Sequence, residues 1–172
     1  MLYFAYGSNM SFRRLNARIS KFSRLGVATL FDHDLRFHKI SHNDGSGKCD
    51  ILQTDEQEHY VLGVLYHIDP LEKHILDDYE GVGLGYEEKS IDVEMSGERL
   101  TAFAYYATQI DPTLKPLHWY KEHVLRGARE NDLPAQYIRK IEMIASIDDH
   151  DTERHARELV IYSWNPRPRP LF

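Results

Sequence analysis

The sequence of 172 residues holds a single cysteine, Cys49. One thiol cannot form an intrachain disulfide, nor build a zinc cluster from several thiolates. Lying between Lys48 and Asp50, it reads as an inert surface or strand residue rather than a nucleophile. Long apolar runs are also lacking, and no stretch approaches the ~18 residues of a membrane-spanning helix. The opening Met1-Leu2-Tyr3-Phe4-Ala5-Tyr6 has no basic region before it and is too short for a secretory leader. Basic excess is missing as well. Lys and Arg number 21 against 27 Asp and Glu, the net charge is −6, and the cations are dispersed. That is not the footprint of a nucleic-acid binder. Neither Gly-x-Gly-x-x-Gly nor Gly-x-x-x-x-Gly-Lys occurs, which argues against a nucleotide-binding fold. These absences lead us to expect a protein of the reducing cytoplasm, with no membrane or nucleic-acid partner.

What is present suits a globular domain. Apolar residues make up 42% and aromatics 12%, and the length fits one core. Leu2–Tyr6 reads as a strand broken by the turn Gly7-Ser8-Asn9. Ser11 is placed to cap a short helix over residues 12–17, with Arg13, Arg14 and Arg18 toward solvent. Val27–Leu30 and Leu35–Ile40 read as strands, and Ser41–Lys48 as a loop rich in Asn, Asp and Gly. The nearly continuous apolar run Tyr60–Tyr66 predicts a strand buried on both faces.

A helix follows. Asp69 is its expected N-cap, Pro70 its first residue, Glu72 the partner in a capping box, and Gly81 its stop. Leu71, Ile75 and Tyr79 at four-residue spacing predict its apolar face. Strands near Tyr86–Met95 and Arg99–Ala107 meet at Ser96-Gly97. Helices are expected over 116–126, stopped by Gly127, then 134–147 and about 151–162. The alternating prolines of Asn165–Pro170 forbid regular structure. The reading is one domain over residues 1–163 and an extended arm over 164–172. Strands first and helices later argue an α+β domain.

Three groups of residues could carry chemistry. Asp77, Asp78 and Glu80 crowd the end of the helix that begins at Pro70. Like charge and the helix dipole there disfavour ionisation, so a raised carboxylate is expected, with Glu80 leaving on the buried edge. A solvated acidic helix end fits the same residues. The turn Tyr6-Gly7-Ser8-Asn9 offers successive N–H groups and side-chain donors to an anion, but taken alone it reads first as an ordinary turn feeding a helix. Ser8 as a nucleophile lacks the second glycine of the Gly-x-Ser-x-Gly elbow. The ten histidines, His33, His38 and His42 or His118 and His123 among them, match no metal motif and read as scattered surface residues. Trp119 and Tyr120 are expected to divide between surface and core.

Taken together, Tyr3-Phe4-Ala5-Tyr6-Gly7-Ser8-Asn9-Met10, Gly63-Val64-Leu65-Tyr66 and Leu76-Asp77-Asp78-Tyr79-Glu80-Gly81-Val82 resemble the γ-glutamylcyclotransferase family. The likeness continues through Gly85-Tyr86, Thr101–Tyr105, Tyr120-Lys121 and Gly127–Pro134 to about Ile147. The resemblance implies a small mixed β-barrel surrounded by helices, with the site at one barrel end. It implies intramolecular attack of a substrate's α-amino nitrogen on its own γ-glutamyl carbonyl, releasing 5-oxoproline and an amine or amino acid. It assigns Glu80 as acid/base, Tyr6, Gly7, Ser8 and Asn9 as the substrate-holding turn, and Tyr86, Tyr105 and Tyr120 as pocket residues. The partner would be a small γ-glutamyl compound; no cofactor or metal is implied, and a homodimer is admitted. Gly-Ser-Asn departs from the Gly-Ser-Leu of the glutathione-degrading branch, which weighs against glutathione. A binding module of the same fold, or a hydrolase using Ser8, stays open at this point.

Overall fold

A computed structural model describes residues 1–163; the proposed arm over 164–172 lies outside the described residues. Within the described residues, seven strands and five α-helices follow one another. They are β1 (Leu2–Ala5), α1 (Phe12–Asn16), β2 (Phe22–Phe31), β3 (His33–Ile40), β4 (Gly47–Gln53), β5 (Tyr60–Ile68), α2 (Lys73–Glu80), β6 (Tyr86–Met95), β7 (Glu98–Ala107), α3 (His118–Glu130), α4 (Ala135–Glu142) and α5 (Thr152–Leu159). Five strands close into a barrel in the order β1-β5-β2-β6-β7, while β3 and β4 form a separate antiparallel pair. The barrel is mixed because β1 and β7 meet in parallel at Tyr3 and Phe103. The fold is α+β, as the order of elements predicts.

β5 lies in the barrel wall between β1 and β2, and Val61–Tyr66 are all buried, which is why its apolar residues do not alternate. β6 does alternate, with Ile91 and Val93 inward. Its hairpin with β7 turns at Ser96 (φ 53°) and Gly97 (φ 81°), the paired left-handed conformations of a tight hairpin.

Several sequence expectations need correction. Asp69 does cap, its carboxylate accepting from Leu71 N–H at 2.9 Å. Glu72, however, closes no capping box; it accepts from Ser20 N–H at 2.8 Å and Lys21 N–H at 2.7 Å, tying the helix start to the segment that leads into β2. The first turn, Pro70–Glu72, is a 3-10 turn. The buried anchor of α2 is Leu76, whereas Leu71 and Tyr79 face solvent. Gly127 does not stop α3 but lies inside it. A Cβ there would meet Met10 Cβ and Ser11 N at 2.5 Å, so glycine allows the site turn to dock on the helix. α4 ends at Glu142, short of 147. Trp119 and Tyr120 are both buried, as is Cys49, and His33, His38 and His123 are core residues rather than surface ones.

Candidate active site

β1 ends at the barrel mouth, and the chain breaks there into a 3-10 turn, Ser8–Met10. The backbone of Gly7 passes so close to β4 that a Cβ would lie 3.1 Å from Cys49 Cβ. The N–H groups of Gly7, Ser8 and Asn9 are taken by no backbone carbonyl among the described residues. They form a row of donors at the barrel mouth, suited to an anionic oxygen.

α2 delivers Glu80 to the same place as its final residue. Gly81 (φ 71°) reverses the chain there, its N–H bonding back to Asp77 O at 2.9 Å. Asn9 Nδ2 donates to Glu80 Oε1 at 2.8 Å and to Tyr3 Oη at 2.9 Å. Arg18 Nη1 donates to the same Oε1 and, at 2.8 Å, to Asn9 Oδ1. Both contacts fall on one carboxylate oxygen, and Oε2 has no partner among the described residues. Glu80 is thus gripped on one side and open on the other.

The neighbours of Glu80 differ from those expected of a crowded acidic helix end. Asp77 turns away, accepting from Lys73 and, at 2.6 Å, from Tyr105 Oη. Lys73 also reaches Glu88 at 2.6 Å. The cation beside Glu80 is Arg18, which the sequence reading placed in solvent although its side chain is only 12% exposed. No local pattern marks it, because its partner lies 62 residues away.

All eight residues singled out from the sequence line one small cup: Tyr6, Gly7, Ser8, Asn9, Glu80, Tyr86, Tyr105 and Tyr120. Tyr3 and Cys49 complete it. The tyrosines brace the wall as well as lining it. Tyr6 donates to Tyr105 O at 2.5 Å, Tyr86 donates to Cys49 O at 2.5 Å, and Tyr120 Oη accepts from Cys49 N–H at 3.0 Å. Burial pushes the phenols of Tyr3, Tyr6, Tyr86, Tyr105 and Tyr120 above their ordinary value, so they stay neutral. Burial likewise raises the Cys49 thiol, leaving it protonated and unreactive. Ser8 has no histidine beside it in the cup and no general base on its hydroxyl among the described residues. Those residues also contain no group of His, Cys, Asp or Glu arranged to hold a metal.

Outside the cup opens a cleft of about 700 Å³ that shares Ser8, Glu80, Tyr86 and Tyr120 with it. Cations rim this cleft, most of them paired. Arg14 meets Glu158 at 2.6 Å, Lys48 meets Asp44 at 2.7 Å, and Arg154 grips Asp149 at 2.5 Å.

Human γ-glutamylcyclotransferase is 33% identical over 153 residues, covering 86% of this chain and 80% of the human protein. The chain belongs to the γ-glutamylcyclotransferase family. It is therefore an enzyme of the cyclotransferase type. The bovine γ-glutamylcyclotransferase is 32% identical over the same length. The AIG2-like family model matches residues 60–141, the stretch from β5 into α4 that includes Glu80. A solved γ-glutamyl cyclotransferase structure superposes with a TM-score of 0.84 at 28% identity, covering 95% of this chain and 99% of its own. In this γ-glutamylcyclotransferase fold, Glu80 and the Gly7–Asn9 turn meet at one end of the barrel.

Proposed function

We propose that the protein cyclises a γ-glutamyl amide, releasing 5-oxoproline and a free amine or amino acid, with Glu80 as the base and then the acid. One observation carries this reading: a carboxylate with a free oxygen stands 2.8 Å from an asparagine of a donor-rich turn 71 residues away. That pairing is what the reaction requires.

The substrate enters with its α-ammonium near Glu80 Oε2. Glu80 takes one proton, and the nitrogen lone pair attacks the γ-carbonyl carbon of the same molecule. As the C–N bond to the leaving group breaks, Glu80 returns the proton to the departing nitrogen. The electron pair of the broken bond stays on that nitrogen, the ring nitrogen gives up its second proton through the freed Glu80 carboxylate to the released amine, and the products are a neutral lactam and an ammonium. No water is consumed. Arg18 and Asn9 hold Oε1, which fixes the carboxylate while Oε2 exchanges the proton. The N–H groups of Gly7–Asn9 would receive the substrate carboxylate or the developing oxyanion; one such donor is worth about 2.7–4 kcal/mol. Folding the substrate into ring-closing shape is the remaining task, and orientation of this kind contributes ~7–11 kcal/mol. The neutral tyrosine wall supplies that shape. The lone cysteine is a buried free thiol, in keeping with a cytoplasmic setting. No described helix is long and apolar enough to cross a membrane.

The test is release of 5-oxoproline from a panel of γ-glutamyl amino acids and γ-glutamyl amines, with Glu80→Gln beside the wild type. Turnover by the wild type and its loss in a variant that still binds substrate are expected. A variant keeping more than a tenth of wild-type kcat/KM removes Glu80 as the base.

A further inference from the structure

The inner cup has room for about 20 Å³, whereas the cleft outside it opens to about 700 Å³. A space needs ~10–15 Å³ to hold one water molecule, so the cup takes a single oxygen-sized atom and the body of a substrate lies in the cleft. The donors around that one place can be counted. Gly7, Ser8 and Asn9 bring backbone N–H groups that no backbone carbonyl takes among the described residues. Five tyrosines also line the cup, and four of them have their hydroxyls engaged. Tyr6 donates to Tyr105 O, Tyr86 to Cys49 O and Tyr105 to Asp77 Oδ1, while Tyr120 is hydrogen-bonded to the Cys49 thiol. Tyr3 differs. Its hydroxyl accepts from Asn9 Nδ2 at 2.9 Å, and its own proton has no acceptor among the described residues. The direction of that bond is fixed, because Asn9 Oδ1 accepts from Arg18 Nη1 at 2.8 Å and Nδ2 also donates to Glu80 Oε1 at 2.8 Å. The phenol is 4% exposed, stacked on Phe103 with ring centres 5.1 Å apart and edge-on to Tyr105 at 5.8 Å. Burial, with the charge of Glu80 added, keeps it neutral. A buried donor left without an acceptor costs free energy, so this proton calls for a partner.

On the cyclisation reading, on which this inference rests, the tetrahedral intermediate carries three heteroatoms on the former γ-carbonyl carbon. Two are nitrogens, one attacking and one departing, and both exchange protons with Glu80. The third is an oxygen that gains a negative charge. Glu80 and Tyr3 flank the same Asn9 amide, so an oxygen in the cup lies beside the nitrogens that Glu80 serves. The substrate's α-carboxylate suits this place poorly, since it brings two oxygens and a permanent charge beside another carboxylate. The oxyanion brings one oxygen, and its charge develops only while Glu80 holds the proton it has taken. We propose that Tyr3 is a catalytic residue, its hydroxyl donating a hydrogen bond to the oxyanion of the tetrahedral intermediate alongside the N–H groups of the Gly7–Asn9 turn. Such a bond strengthens as charge moves onto the oxygen and does little for the ground-state carbonyl. No proton leaves the phenol. When the bond to the leaving nitrogen breaks, the electron pair on the oxyanion re-forms the carbonyl and Tyr3 is left as it began.

The experiment compares the wild type, Tyr3→Phe, and a protein with 3-fluorotyrosine incorporated in place of Tyr3. Release of 5-oxoproline is measured from the best substrate of the γ-glutamyl panel. Phenylalanine keeps the ring against Phe103 and removes only the hydroxyl. Loss of one oxyanion donor should lower kcat and kcat/KM alike, by about 100- to 1000-fold, with KM little changed. Tyr3→Phe also takes an acceptor from Asn9, so a positioning role would give a loss as well. Fluorine separates the two. It makes the hydroxyl a better donor and a poorer acceptor while adding almost no bulk. The fluorinated protein should therefore show a raised kcat. A lowered kcat would assign the hydroxyl to Asn9 and overturn the proposal. An unchanged one would overturn it too, because a donor to charge formed in the transition state has to respond. The fluorinated protein decides the matter alone if Tyr3→Phe fails to fold. Wild-type kcat in a folded Tyr3→Phe protein overturns the assignment and leaves the cyclisation standing, as does a raised KM with kcat intact. Absence of 5-oxoproline from every compound with the wild type removes both readings, since no such oxyanion is then formed.

Discussion

Gly127→Ala sets two effects of opposite sign against each other. Alanine in a helix interior is favoured over glycine by about 0.8–1 kcal/mol, so propensity alone predicts a stabilised α3. The new methyl, however, would stand 2.5 Å from Met10 Cβ and from Ser11 N, and 2.7 Å from Met10 C. Carbon atoms pack at about 3.5–4.0 Å, so roughly 1 Å of separation has to be found. Two of those three atoms are backbone and cannot swing aside. Overpacking of this kind costs about 1–3 kcal/mol, and the rigid neighbours place it at the upper end. The net expectation is a destabilisation of about 1–2 kcal/mol. For a domain of this size, each kcal/mol moves Tm by about 2–4 °C. The activity effect should be larger than the stability effect. The segment that must move is the 3-10 turn carrying Ser8 and Asn9, and Asn9 holds Glu80 at 2.8 Å. A misplacement of about 1 Å in a catalytic group costs on the order of 100-fold. Urea unfolding gives the stability, and release of 5-oxoproline from the best substrate of the panel gives kcat/KM. A variant with raised stability and full activity would show that the turn does not depend on that glycine.

Three further outcomes are expected. Arg18→Gln should lower kcat by about 10- to 100-fold with a smaller change in KM, and Arg18→Lys should recover part of it, because the guanidinium fixes Glu80 Oε1; wild-type kinetics would refute that role. Ser8→Ala should retain turnover, and mass spectrometry should find no glutamyl adduct on the wild-type hydroxyl; a trapped adduct would establish a covalent route. Burial lowers His123 from 6.5 to about 4, where its Nδ1 faces Tyr162 Oη at 2.7 Å. The unfolded chain takes up the proton as pH falls through 6.5, and the native state only near 4. This stability is therefore complete above 6.5 and is lost progressively between 6.5 and 4, up to about 3 kcal/mol. Urea midpoints at pH 7 and pH 5 should diverge in the wild type and draw together in His123→Phe; equal divergence would assign the pH effect elsewhere.

Legibility in the sequence tracked how local the physics is. The end of α2 was readable because Asp69, Pro70 and Gly81 act on their own neighbours. The buried strand β5 and the Ser96-Gly97 hairpin were readable for the same reason. The cup residues came from the family resemblance, and the barrel brings all eight together. What could not be read joins distant segments. Arg18 takes its role from Glu80, and Glu72 leaves its local partner for Ser20 and Lys21. The spacing of Leu71, Ile75 and Tyr79 was regular, yet the barrel met the helix at Leu76. Gly127 is a stop signal by composition, but the turn packed against it makes it an interior residue. Lys39 looks like any strand lysine until a slipped register turns it inward.

The parallel contact that closes the barrel also orders events in time. β1 is the first strand of the chain, yet its two neighbours, β5 and β7, lie about sixty and one hundred residues downstream. During synthesis it stays unpaired until β5 appears and flanked on one side until β7 is complete. Such long loops close slowly, because their entropy is lost before the contacts form. The turn carrying Ser8 and Asn9 hangs from that strand, so its geometry is set only when the ring of strands shuts. Recovery of activity on refolding should coincide with the slowest structural phase; activity returning ahead of it would mean that the turn is shaped without closure. A segment made among the first is fixed among the last, and any damage to the final hairpin is felt at the opposite end of the chain.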